Sequence, residues 1–182
     1  YEDSLFITKS LVIGSEYLID TDTTHISNTI IDGNNDGWIM SWESGDNSWS
    51  DTTNNQIVGL TIQNGNSTNS SYAGGLYVAS YKSLTINHIR FKNNKNTRNR
   101  GGALSFGYNV HAQILHTEFV GNHSTHSGSA FYADRPYLVM RHVNIRNNTT
   151  TANNGGLLYV SNGARYWDTK DVQVSNNSST SN

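Results

Sequence analysis

Seven histidines and 14 carboxylates are the groups in this 182-residue chain that could carry acid–base or metal chemistry. There is no cysteine, so thiol chemistry, Cys-zinc sites and disulfides are absent. Three histidines recur in phase: His88, His116 and His142 each stand three residues before Phe91, Phe119 and Ile145. On neighbouring strands about 4.8 Å apart they could hold a transition metal, provided the rings converge on one ion. The plainer reading is a ladder of turn residues. Asp32-Gly33-Asn34-Asn35-Asp36-Gly37, followed by Glu43, formally fits a calcium-loop pattern. If residues 38–42 form a strand, however, Glu43 lies roughly 20 Å from Gly37 and cannot return to the ion. Asp32, Asn34 and Asp36 then remain as a weak calcium candidate, against a plain Asp/Asn/Gly turn.

Acid–base cleavage of a polysaccharide needs a pair of nearby carboxylates. Between residues 52 and 167 only Glu118 and Asp134 are acidic. They fall on different predicted strands and neither repeats on a neighbouring one. No catalytic residue and no cofactor is assigned; an active site would have to lie in the acidic first 51 residues. The basic set Arg90, Lys92, Lys95, Arg98, Arg100 and Arg146 suggests one positive face. It lacks interleaved aromatics for base stacking, which argues against nucleic acid and favours anionic glycans or plain solvation.

The elements that must position these groups form a repeat. Gly74-Gly75-Leu76-Tyr77-Val78 returns as Gly101-Gly102-Ala103-Leu104-Ser105, Gly128-Ser129-Ala130-Phe131-Tyr132 and Gly155-Gly156-Leu157-Leu158-Tyr159, a step of 27. In phase run Phe91-Lys92-Asn93-Asn94, Phe119-Val120-Gly121-Asn122, Ile145-Arg146-Asn147-Asn148 and Val174-Ser175-Asn176-Asn177. A period in this range signals a solenoid or an array. Three strands of about five residues and three turns fill such a period, which predicts an all-β, single-stranded parallel β-helix with three strands per coil. The strands of the first full repeat are expected at 75–79, 83–87 and 89–93.

Alternation places Tyr77/Leu104/Phe131/Leu158 and Ala79/Phe106/Ala133/Val160 inward on the first side, with Gly75/Gly102/Ser129/Gly156 at a tight corner. Phe91/Phe119/Ile145/Val174 point inward on the third. Asn94, Asn122, Asn148 and Asn177 make a corner ladder of carboxamides. Residues 1–182 read as one domain, with irregular coils over 1–55, a polar insertion at 43–55 and regular coils over 56–182. Within the first part, Leu5–Ile7, Leu11–Ile13, Tyr17–Ile19 and His25–Ile31 read as short β pieces with no helical period.

Gly101-Gly102-Ala103-Leu104 with Phe119-Val120-Gly121-Asn122 resembles the repeat of polymorphic outer membrane proteins and related adhesin-like β-helix proteins. Ile31-Asp32-Gly33-Asn34 and the segment Ile57–Gly65 resemble the opening coils of secreted right-handed β-helix proteins. The resemblance covers residues 56–182 well and 1–55 loosely. It implies a right-handed parallel β-helix at a cell surface, often adhesive. It implies no catalytic residues, because the shared motif is one of packing.

Charge and modification patterns set further expectations. Residues 1–51 hold ten acids against Lys9, a net of −9, whereas 52–167 hold ten bases against Glu118 and Asp134, a net of +8. The contrast favours head-to-tail self-association. The repeat runs to Asn182, so the chain reads as a segment of a longer protein. No run approaches the roughly 20 apolar residues of a membrane helix. Of the Asn-x-Ser/Thr sequons, Asn66 and Asn69 are free to carry glycan, whereas Asn122, Asn148 and Asn177 are committed to the ladder. These readings point to an extracellular, non-enzymatic solenoid acting as a surface adhesin, structural or fibre element with a glycan or protein partner. The alternative is a carbohydrate-active β-helix using a lateral face. A cleft with two or more carboxylates favours the alternative.

Overall fold

At three corners of each regular coil one residue takes the left-handed backbone conformation, and these residues stand in columns; Gly101 and Gly128 take it as well. Tyr81, Asn109, Arg135 and Asn162 close the first side; Gly59, His88, His116, His142 and Asp171 close the second; Asn64, Asn93, Gly121, Asn147 and Asn176 close the third. That conformation costs most side chains roughly 1–2 kcal/mol, and least for Gly, Asn and Asp. The bias of these columns toward Asn and Gly follows. Between corners the β-rich segments run straight, and successive coils pair edge to edge.

The computed structural model describes residues 4–69, 71–98, 100–151 and 156–180. The result is a parallel β-solenoid. Every pairing between its strands is parallel. The glycine side stacks six strands: Leu5–Ile7, Met40–Trp42, Leu76–Val78, Leu104–Tyr108, Phe131–Asp134 and Leu158–Ser161. The middle side stacks Val12–Gly14, Gln56–Val58, Ser83–Asn87 and His111–Leu115. The phenylalanine side stacks Ile30–Asp32, Thr61–Gln63, Arg90–Lys92 and Glu118–Val120. In Tyr137–Arg146 and Tyr166–Ser175 one strand runs through both of these sides and joins them in a single sheet. A short fourth ladder of two-residue strands, from Asn66–Ser67 to Ser178–Ser179, adds to the three expected strands per coil.

The core is a set of vertical columns. Ile62, Phe91, Phe119, Ile145 and Val174 pair in register on the phenylalanine side, and the rings of Phe91 and Phe119 stack 5.1 Å apart. Phe91, Phe119 and Ile145 are fully buried, while Val174 remains exposed on the last described coil. Ile57, Ile86, Ile114 and Met140 form the middle column. On the glycine side the column is Leu76, Leu104, Phe131 and Leu158.

This corrects the sequence reading, which put Tyr77 there. Leu76 to Leu104 is a step of 28, whereas the steps to Phe131 and Leu158 are 27. Counting 27 throughout slips the first coil by one residue, which turns every side chain on that strand to the opposite face. Val78, not Ala79, pairs with Phe106 and Ala133. Gly74 likewise stands in the corner column with Gly102, where a Cβ on Gly102 would lie 2.4 Å from the carbonyl oxygens of His123 and Ser129. Gly155, in the fourth Gly-Gly phrase, lies outside the described residues.

Two predicted strands are helical turns instead. Tyr17–Asp20 and Thr24–Asn28 are short helices, with only Ile30–Asp32 left as strand. The helices lie on the solenoid: Ser15 Oγ donates to the Gly59 carbonyl and Thr61 Oγ1 to the Ile26 carbonyl. The insertion also folds back. Thr85 Oγ1 donates to the Thr52 carbonyl, Ser83 Oγ to Asp51 Oδ2 and Gln113 Nε2 to Thr52 Oγ1. Residues 49–55 therefore cover the outer face of the middle side.

The register is testable. Leu76→Ala should lower unfolding free energy by about 2–5 kcal/mol, as for other buried leucines. Tyr77→Ala should give a clearly smaller loss, because its side chain is half-buried on the outer face. Urea midpoints in the reverse order would return Tyr77 to the core.

Candidate functional site

His88, His116 and His142 occupy the left-handed corner and stack with centroids 4.6 and 4.7 Å apart and planes within 16°. Stacking sets the rings side by side rather than aiming them at one ion. Above His88 the corner residue is Gly59; a Cβ there would lie 2.6 Å from Tyr17 Cβ. Tyr17 takes that space, stacking on His88 at 4.5 Å. His88 Nδ1 lies 2.8 Å from Asn87 Oδ1 and Nε2 lies 3.0 Å from the Tyr17 hydroxyl. Nδ1–H therefore donates to Asn87 and Nε2 accepts from Tyr17, which suits neutral imidazole. Burial, and secondarily the neighbouring His116, push the His88 pKa below its ordinary value. At the other end His142 Nδ1 lies 3.4 Å from the Asp171 carboxylate. Among the described residues no three His, Cys, Asp or Glu side chains form a metal cluster.

The asparagine ladder is continuous. The Oδ1 of Asn122 accepts from the backbone N–H and the Nδ2 of Asn94, and Asn148 and Asn177 repeat this one coil on. Each Nδ2 also donates to a carbonyl of the adjacent coil: Ile62, Phe91, Phe119 and Ile145 for Asn94, Asn122, Asn148 and Asn177. Asn94, Asn122 and Asn148 are fully buried. Asn66 is half-buried in the short ladder and donates to the Asn35 carbonyl; Asn69 is exposed. In the calcium-like turn, Asp32 accepts from Gln63 Nε2, Asn64 Nδ2 and the Asn34 backbone N–H. Those bonds, the one from Gln63 foremost, hold its carboxyl below the usual range. Asn34 and Asp36 are exposed beside it.

The basic set divides over several surfaces rather than forming one face. Glu118 bridges Arg90 and Arg146, each Nε lying 2.7 Å from one carboxylate oxygen. A cleft of about 380 Å³ beside this bridge is lined by the three corner histidines, Glu118 and Asn144. Its one carboxylate is already held by two guanidinium groups. Lys95 and Arg98 lie at the short ladder. Arg100 alone reaches the glycine side.

That side carries the arrangement the sequence reading missed. Its outward column is Phe6, Ser41, Tyr77, Ser105, Tyr132 and Tyr159. Aromatic rings fill it except where the two serines stand. At Ser41 the gap is occupied: Trp38 and Tyr72 stack at 4.4 Å and reach edge-on to Phe6 on one side and Tyr77 on the other. At Ser105 no ring of the described residues takes the place. A cleft of about 250 Å³ opens there, with Tyr77 and Tyr132 on either side and Ser80, Ser105, Gly107 and Tyr108 within. Tyr77 and Tyr132 stand two coils apart, roughly 10 Å, leaving space between their rings for one ring-sized group. Tyr132 stacks on Tyr159 at 6.0 Å. Burial raises the Tyr77 pKa, so its hydroxyl stays protonated and able to donate.

Arg100 lines this cleft, and Arg135 stands behind Tyr108, one of its lining residues. The Arg100 guanidinium lies 5.2 Å from the Tyr132 ring and 5.7 Å from the Tyr159 ring, and donates to the Tyr132 hydroxyl. Arg135 donates to the Tyr108 hydroxyl at 2.7 Å. Asp134 is the one carboxylate in the lining, and its Oδ1 accepts from Asn162 Nδ2. The tyrosines went unseen because the one-residue slip turned Tyr77 inward. Aligning on Leu76, Leu104, Phe131 and Leu158 would have exposed them as an in-phase column.

Two outcomes follow from this geometry. His88, His111 and His123 all have pKa values lowered by burial. Their contribution to stability is present above the unfolded pKa near 6.5 and is lost as pH falls below it, because the unfolded chain then binds more protons. His25, raised by its hydrogen bond to Asp20, acts in the opposite sense at the surface. Urea midpoints should therefore fall between about pH 7.5 and about pH 5.0, and His88→Asn, which tolerates the same corner, should flatten the fall. In a glycosylating host, glycopeptide mass spectrometry should find sugar at Asn69 and none at Asn122 or Asn148, whose side chains lie inside the ladder. Glycan on Asn122 would contradict the buried ladder.

The chain matches no protein-family profile, no curated protein and no solved structure. Its fold is assigned from its own strand pairing.

Proposed function

We propose that this protein acts outside the cell as an adhesive solenoid whose glycine side holds a carbohydrate without cleaving it. The observation that carries the reading is the outward aromatic row with one vacant place at Ser105. Sugars present C–H-rich faces edged by hydroxyls, which suit half-exposed tyrosine rings with polar tips. The rung spacing of about 4.8 Å is close to the length of one pyranose unit, so a chain laid along the axis meets one coil per sugar. Binding is favoured over cleavage because the cleft lining supplies a single carboxylate, Asp134, where hydrolysis uses two. The resemblance to adhesin-like β-helix proteins supports the surface role.

The test is binding of the purified protein to a panel of immobilised polysaccharides. At least one should bind, and Tyr132→Ala should weaken it by about two- to tenfold, the range of one aromatic contact, with the urea midpoint little changed. Retention of every panel member by Tyr132→Ala at wild-type affinity would remove the tyrosine row from function.

A further inference from the structure

We infer that the Ser105 cleft takes a pyranose unit bearing an anionic group, carboxylate or sulfate, an inference that rests on the carbohydrate-binding reading above. Two independent features of the site converge on it. The first is steric. Along the outward column Phe6/Ser41/Tyr77/Ser105/Tyr132/Tyr159, serine occurs twice, and the protein fills the gap at Ser41 with its own Trp38 and Tyr72. At Ser105 the equivalent space is left as a cleft between Tyr77 and Tyr132. The residues deepest in it are small: Ser105 is 4% exposed and Gly107 bears no side chain. A ring-sized guest placed there meets an aromatic residue on each side, as Trp38 and Tyr72 do one gap earlier.

The second feature is charge. Arg100 and Arg135 are each held by a tyrosine hydroxyl and lie over a tyrosine ring. Among the described residues neither forms an ion pair with a carboxylate. Arg90, Arg141 and Arg146 are paired with Glu118 or Asp168, whereas among the described residues Arg98 and Arg165 also have no carboxylate partner. Asp134 offsets one of the two charges, and its bond from Asn162 holds it on the corner side. Arg100 stands in the cleft lining with the single carboxylate, and Arg135 adds its charge from behind Tyr108, beside a slot for a ring. A guanidinium fork matches the planar oxygens of a carboxylate or sulfate, and each tyrosine contact limits the rotamers the arginine must give up. A neutral sugar would use the slot and leave both charges idle.

Titration calorimetry of the whole chain with three probes decides the matter: oligogalacturonate, a heparin-derived oligosaccharide and a neutral cello-oligosaccharide of equal length. At least one acidic probe should bind about ten- to hundredfold more tightly than the neutral one, the effect expected of a hydrogen-bonded charge pair. Which of the two binds distinguishes carboxylate from sulfate. Arg100→Gln should erase that preference, and added salt should weaken acidic binding more than neutral binding. Ser105→Tyr, which puts a ring into the slot, should abolish binding of all three probes, with circular dichroism confirming that the solenoid still folds. Equal affinity for the three probes, lost in Tyr132→Ala, would overturn the anionic assignment and keep the carbohydrate reading. An acidic preference untouched by either Arg100→Gln or Ser105→Tyr would place it on another surface and overturn the inference. Binding of no probe would count against both readings.

Discussion

At the third corner of every regular coil one carboxamide does the work of two backbone partners, and the rest of the solenoid depends on it. The backbone bends there through a left-handed residue, which would leave the N–H of the following residue without a partner in the strand ladder. The Oδ1 of the asparagine one coil on accepts that N–H, and also the Nδ2 of the same residue. With three members fully buried, each missing bond would cost about 1–3 kcal/mol. Because Asn94, Asn122 and Asn148 each bond the coils on both sides, the ladder fixes coil-to-coil register as well as the bend. The aromatic and aliphatic columns of the core then stack without offset, as in the pair Phe91 and Phe119.

The corners also explain why three histidines recur without forming a metal centre. Their column continues into glycine and aspartate in the same conformation, Gly59 at one end and Asp171 at the other. What the positions share is a backbone state, and the side chains are free to differ. Where Gly59 leaves the column empty, Tyr17 enters it, so the N-terminal helical turns are fastened to the solenoid by the same stack. The half-buried neutral imidazole of His88 at this junction links the seating of the N-terminal turns to pH.

The lateral faces are divided by what covers them. The insertion lies over the middle side, with Trp49 edge-on to His111 and Tyr166. On the phenylalanine side Glu118 holds both Arg90 and Arg146. The glycine side is left with its tyrosines, its cleft and two arginines without carboxylate partners. A repeat fold of this kind offers one residue per coil at each outward position, so a single serine in a column of rings is enough to make a ring-sized slot.

The sequence by itself determined the solenoid, the place of its corners and most of its core. A period near 27 with Gly-Gly and Phe-x-x-Asn in phase admits little else, and the ladder of Asn94, Asn122, Asn148 and Asn177 was legible because a carboxamide at a fixed step has few other reasons to recur. Tertiary structure decided the rest, for reasons of register and contact. A step of 28 between Leu76 and Leu104, against 27 further on, lies within the noise of counting yet reverses a strand's two faces. That one residue separated Tyr77 as core from Tyr77 as wall of a cleft. The helical turns at Tyr17–Asp20 and Thr24–Asn28 carry no helical period, because they form only where the solenoid surface offers partners such as the Gly59 carbonyl. The grouping of Arg100, Arg135, Tyr108 and Tyr132 spans two coils, and proximity between coils appears in a sequence only after the register is known.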